Sequence, residues 1–217
     1  MPHDHYNDSI LAATVLTALL VGVAACLALG VRRKGWGGVL LAGAVGGGLF
    51  QIGHFAEHVA QVGYWSTHRD QAPWMTPWAN ALARSFQAMA SDTAGFGMEA
   101  LHLVGNLIFL AGAAAILAVL ARSGVNDGRR LARAGVGVQA VHVAEHIALT
   151  TSVVLVGRPV GVSTLFGTLD PDPGLWTYRV WWHLVVNAIG TALLALAVAR
   201  RRHDLGARRA QWAALAR

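Results

Sequence analysis

Apolar residues dominate five stretches of this chain, at residues 10–31, 37–62, 97–121, 131–156 and 179–199. Each is long enough to cross about 30 Å of hydrocarbon, which takes roughly 20 helical residues. Residues 46–48 are Gly-Gly-Gly. In a soluble helix such a run is weakening, but between membrane helices small residues permit close approach. The pattern therefore predicts an all-α integral membrane protein with five transmembrane helices. Polar connections separate the spans. Residues 63–96 form a long outer loop in which 76–90 reads as a short amphipathic helix, and 157–178, rich in Pro and Gly, reads as turns. Residues 202–217 form a basic tail, with Trp212 suited to anchor an interfacial helix.

The polar residues that interrupt the apolar runs repeat. Gln51-Ile-Gly-His54-Phe-Ala-Glu57-His58 and Gln139-Ala-Val-His142-Val-Ala-Glu145-His146 share the pattern Q-x-x-H-x-A-E-H. His102-Leu-Val-Gly-Asn106 and His183-Leu-Val-Val-Asn187 share H-L-V-x-N. The offset is 88 residues for His54 and His142 and 81 for His102 and His183, a difference taken up by a shorter second outer loop. Residues 37–121 thus form one repeat and 131–201 a second, each starting and ending on the same side of the membrane. Units of that kind are related by an axis along the membrane normal. The expectation is a single domain, a pseudo-two-fold four-helix bundle with 10–31 as a peripheral anchor helix.

Charge sets the orientation. Of 17 Lys and Arg, 13 fall after the first span, around the connection between the third and fourth spans, or in the tail; only Arg69, Arg84, Arg158 and Arg179 fall on the other side. The positive-inside rule then places the N-terminus outside and the C-terminus in the cytoplasm of a multi-pass plasma-membrane protein. Six of the eight tryptophans flank the outer ends, as an interfacial belt requires. The opening residues lack a basic n-region, so the first span reads as an uncleaved anchor. Anionic lipid accounts for the net charge of +6, and no nucleic-acid partner is implied. Cys26 stands alone, which excludes a disulfide framework and a Cys-based metal site.

Ionisable groups inside a membrane are costly and mark function by default. On a helix, H-x-x-E-H turns both histidines and the glutamate within about a 100° arc. At about 1.5 Å per residue, all six histidines can lie in one layer of the outer half of the bundle. Imidazole suits copper, iron and zinc, and carboxylate adds a harder ligand. His54, His58, His102, His142, His146 and His183 are the candidate metal ligands, with Glu57 and Glu145 as further ligands or proton carriers. Two partitions follow: a pair of three-His, one-Glu centres, or one dinuclear centre with up to six histidines. Asn106 and Asn187 are candidates for fixing a ligand tautomer or a bound water. Glu99, at the outer end of the third span, reads as solvated.

The expected metal is copper or iron, then zinc. If the protein is an enzyme, the matching activity is metal-activated oxygen chemistry on a lipid-soluble substrate that reaches the site from the outer leaflet. One alternative is a b-type cytochrome, with haem b held between His58 and His102 and between His146 and His183, and Gly53, Gly63 and Gly105 leaving space for it. Another is an accessory subunit bound to partner membrane proteins. A conduction path fits poorly, because the inner halves of the spans, such as 107–120 and 188–199, are almost purely apolar. H-x-x-E-H also occurs in inverted zinc peptidases, but those are soluble enzymes and this motif stands twice in apolar helices.

Overall fold

The computed structural model describes the backbone of residues 3–68, 75–122, 126–165 and 173–215, and the side chains of 35–68, 75–77, 79–122, 128–165, 179–201 and 203. Five helices make up this part of the chain: α1 (His3–Thr67), α2 (Pro77–Gln87), α3 (Phe96–Arg122), α4 (Asn126–Val156) and α5 (Pro173–Leu215). Short 3₁₀ turns follow α2 at Ala88–Ala90 and precede α5 at Val162–Thr164. No strand occurs among the described residues.

The first two predicted spans are two helices that meet end to end within α1 at a non-helical Gly35. Its φ of 57° and ψ of −150° lie where a side chain would be strained, so glycine marks the joint. The side chains of 10–31 lie outside the described residues, and with them the predicted peripheral anchor. Gly35–Thr67, Phe96–Arg122, Gly128–Val156 and Arg179–Arg201 are each long and apolar enough to cross a membrane. α5 also runs on through 202–215 as helix, where the sequence suggested a separate interfacial segment.

The four long segments close into a ring. α3 packs between α1 and α4, α4 packs on α5, and α5 returns to α1. The diagonal pair α3 and α5 touch little. Packing rests on small residues rather than on a continuous oily seam. A methyl group placed on Gly112 would sit 2.6 Å from the Gly47 Cα, so these two glycines are where α1 and α3 meet backbone to backbone. Gly47 belongs to the triple-glycine run. Deeper in the bundle, Phe109, Ala113, Leu120, Ala132, Leu194 and Ala197 form the apolar core.

Polarity is reversed relative to a water-soluble fold. Gln51 and Gln139 are 2% and 0% exposed, while the neighbouring Ile52 and Val141 are 63% and 70% exposed. A surface of exposed Leu, Ile and Val around a buried amide and imidazole core is what a lipid surround selects.

α2 opens with Pro77, whose missing N–H costs nothing at a helix start. Rather than lying free, α2 buries Ala79, Ala81, Leu82 and Ala83 and packs with Leu101 of α3. Gln87 ties the connection down: its Oε1 accepts the Gly97 N–H at 2.9 Å, and its Nε2 donates to the carbonyls of Ala90 and Thr93.

Candidate metal centre

All four long helices send imidazoles to one level. His54 and His58 come from α1, His102 from α3, His142 and His146 from α4, and His183 from α5. Every ring lies within 6.4 Å, centroid to centroid, of at least two others. The i,i+4 spacing within α1 and α4 brings two ring nitrogens together in each. His54 Nε2 and His58 Nε2 are 3.3 Å apart, and His142 Nε2 and His146 Nε2 are 2.9 Å apart. With metal–imidazole bonds of about 2.0–2.1 Å, two adjacent ligands on one ion are separated by roughly 2.9–3.4 Å. The ligand nitrogens of His142, His146 and His183 all fall within 4.8 Å of one another, and all three residues are buried.

Backbone carbonyls fix two of the rings, because a carbonyl oxygen only accepts. The Nδ1–H of His102 donates to the Met98 oxygen at 2.8 Å and that of His183 to the Arg179 oxygen at 2.7 Å. Each therefore presents an unprotonated Nε2. Gln61 does the same for His58. Its Nε2 faces Glu57 Oε1 at 3.5 Å, which turns its Oε1 to accept from His58 Nδ1 at 3.0 Å. His183 Nε2, His142 Nδ1 and His146 Nδ1 are buried with no partner from the protein. A polar ring nitrogen so enclosed costs about 1–3 kcal/mol if it stays without a partner.

The two glutamates hold outer connections. Glu145 accepts the backbone N–H of Val162 at 2.8 Å and that of Ser163 at 2.7 Å, and also the Ser163 hydroxyl at 2.7 Å. Its carboxylate sits against Gly161, where a methyl group would come within 2.6 Å of Oε1. Glu57 accepts the Thr76 N–H at 2.9 Å. Each carboxylate thus ties an outer connection to the helix that carries a histidine pair.

Asn106 and Asn187 stand one turn below the rings as struts. Asn106 donates to the His102 carbonyl at 2.9 Å and accepts from Gln139 Nε2 at 2.8 Å. Asn187 donates to the His183 carbonyl at 2.9 Å and accepts from Gln51 Nε2 at 3.1 Å; Gln51 also donates to Thr191. Both tie helices together.

Four functional positions escaped the sequence reading. Gln51 and Gln139 head both motif copies, so their recurrence was the available signal for a paired role. Gln61 lies three residues beyond His58, within reach on the same helix face. Glu99, expected to be solvated, is 2% exposed and doubly hydrogen-bonded to Arg179, both distances 2.6 Å. Each lies one turn before a histidine, but nothing in the sequence pairs them. Burial at the α3–α5 gap overturns the solvated reading.

The haem placement considered above meets a third ring close by: His183 lies 5.9 Å from His58 and 6.0 Å from His102, centroid to centroid. His146 and His183 are only 4.8 Å apart, and no macrocycle fits between rings that close. Gly53 and Gly63 face open space rather than a cavity for a ring.

Fold and site together define a helical protein with, among the described residues, four membrane-length segments and a buried histidine triad able to hold a metal ion. The chain belongs to the family described as "Family of unknown function (DUF6008)", whose model matches residues 6–216. No curated protein and no solved structure matches it.

Proposed function

We propose that this chain is a multi-pass membrane metalloprotein that binds transition metal through its layer of six imidazoles. The observation that carries this reading is the convergence of ring nitrogens whose tautomers are set from outside: His58, His102 and His183 each give Nδ1–H to a carbonyl oxygen. Metal-bound histidines characteristically give up their other N–H in this way.

The equivalent hydrogen bonds in the two halves support a pseudo-two-fold arrangement that exchanges α1 with α4 and α3 with α5. On that reading each half supplies three histidines, and the two triads, in ring contact through His102 and His146 at 5.5 Å, hold a dinuclear centre. Glu145 is held by the amides of Val162 and Ser163 and Glu57 by that of Thr76, so the donors that converge at the centre are imidazole nitrogens. Neutral nitrogen donors favour copper, then iron or zinc, over magnesium or manganese. The distribution of Lys and Arg supports an external N-terminus, a cytoplasmic C-terminus and a site in the outer half of the plasma membrane. In that position the centre serves oxidation of a lipid-soluble substrate reached from the bilayer.

The test is metal analysis of tag-free protein purified in detergent and reconstituted with copper, iron or zinc. Two equivalents per chain are expected, falling in a His146→Ala variant. Less than about half an equivalent of any transition metal in the wild type refutes the reading, since a centre this enclosed binds stoichiometrically.

A further inference from the structure

At the bundle end opposite the imidazole layer, α3 runs out at Arg122, α4 begins, and the membrane-length part of α5 closes at Arg201. In the sequence, 13 of the 17 Lys and Arg fall on this side against two acidic residues, Asp127 and Asp204, so the chain does not balance its own charge there. Arg122, Arg130, Arg133 and Arg200 are exposed, as basic side chains at a membrane edge are. Arg129 and Arg201 are part-buried.

The packing of α4 on α5 brings these two together. Ala132 and Ala197 share the apolar core, and a methyl group on Gly135 would come within 3.1 Å of Leu194 Cγ. Continuing that antiparallel register by one turn puts Arg129 level with Arg200 and Arg201. Arg201 Nε is buried there with no hydrogen-bond partner among the described residues. A side chain that merely reaches for water keeps its whole charged head outside. Arg201 instead holds a charged N–H inside the helix junction, where leaving it unpaired is costly. Nε–H and one Nη–H form an edge of the guanidinium fork, which grips two oxygens of one phosphate.

We infer that the junction of α4 and α5 binds the phosphate of one anionic phospholipid, with Arg201 as the fork and Arg129 as the second cation. Basic clefts between membrane helices recognise acidic headgroups in this way. The occupant is a lipid rather than free phosphate, because Leu196 and Val198 of α5, just inside the junction, are exposed and offer an acyl chain an apolar surface. The metal centre takes no part in this site, so the two readings stand or fall separately.

Tag-free protein in uncharged detergent is titrated with dioleoyl phosphatidylglycerol, and bound lipid is counted by native mass spectrometry. One lipid per chain is expected at saturation, with dioleoyl phosphatidylcholine binding at least about tenfold more weakly. Arg201→Gln lowers the phosphatidylglycerol affinity at least about tenfold, whereas Arg133→Gln, which removes an exposed charge at the same end, lowers it less than about threefold. Equal losses in the two variants overturn the inference, because they mark a diffuse basic collar rather than a site. Binding that rises without saturating overturns it as well, as does equal affinity for phosphatidylcholine. Inorganic phosphate at the same concentration leaves the lipid bound; if it displaces the lipid, the site takes a soluble phosphate and the lipid assignment fails. The headgroup comparison and the phosphate competition on the wild type decide the matter even where Arg201→Gln does not fold.

Discussion

Replacing Glu145 by Gln separates a loop-holding carboxylate from a metal ligand. The carboxylate takes two backbone N–H groups and one hydroxyl, all between 2.7 and 2.8 Å, from a 3₁₀ turn whose amides point at it. Hydrogen bonds to an ionised group contribute about 1.5–3 kcal/mol each, against about 0.5–1.5 for neutral ones. An amide keeps one oxygen for Ser163 but turns an NH₂ toward the Val162 N–H, where two donors oppose each other. The local cost is then roughly 2–3.5 kcal/mol. Amide hydrogen exchange reads this directly. Since about 1.4 kcal/mol is a factor of ten, protection at Val162 and Ser163 falls roughly 30- to 300-fold, while that of the α4 core around Leu149 stays unchanged. Bound metal per chain is unaltered. Loss of a metal equivalent with loop protection intact refutes the reasoning, because it makes Glu145 a ligand instead.

Three further comparisons test the packing. Gly112→Ala forces α1 and α3 apart at Gly47 and costs about 1–3 kcal/mol in a detergent unfolding titration, whereas Gly53→Ala, with nothing within 4 Å, is neutral or slightly stabilising. Equal effects from the two contradict the helix contact. Gln139→Leu strands the buried Asn106 Oδ1 and lowers stability by about 1–3 kcal/mol, and the double change with Asn106→Leu recovers part of that loss; strict additivity argues against the pair. Glu99→Gln leaves Arg179 charged and part-buried without its counter-ion, costing about 3–5 kcal/mol. Addition of Arg179→Met restores much of it, and a double variant no better than the single one counts against the ion pair.

Much of the site was legible because repetition is a stronger signal than composition. Any one buried histidine is ambiguous, but H-x-A-E-H twice with H-L-V-x-N twice left few arrangements in which the rings fail to meet. Helix period alone then put His54 beside His58 and His142 beside His146. What stayed hidden depended on direction and partner rather than position. A glutamate between two ring-bearing positions lies on their arc, yet its longer side chain reaches outward to the amides of Val162 and Ser163. The pairing of Glu99 with Arg179 joins residues 80 positions apart and has no local pattern. Helix ends were the weakest reading. The first two spans abut at the non-helical Gly35, with only Arg32, Arg33 and Lys34 before it, and α5 continues past the last apolar span because Arg, Ala, Leu and Gln are all good helix formers.

The Glu99–Arg179 bridge has a mechanical meaning. It spans the diagonal on which α3 and α5 otherwise barely touch, one turn from His102 on one side and from His183 on the other. A guanidinium clasped by a carboxylate is a spacer of nearly fixed length. The 6.0 Å gap between those two rings is therefore gauged by a strut rather than by how tightly the helices squeeze. A shorter or longer spacer at that level would reset the distance between the rings, and with it the radius of ion that the imidazoles could hold.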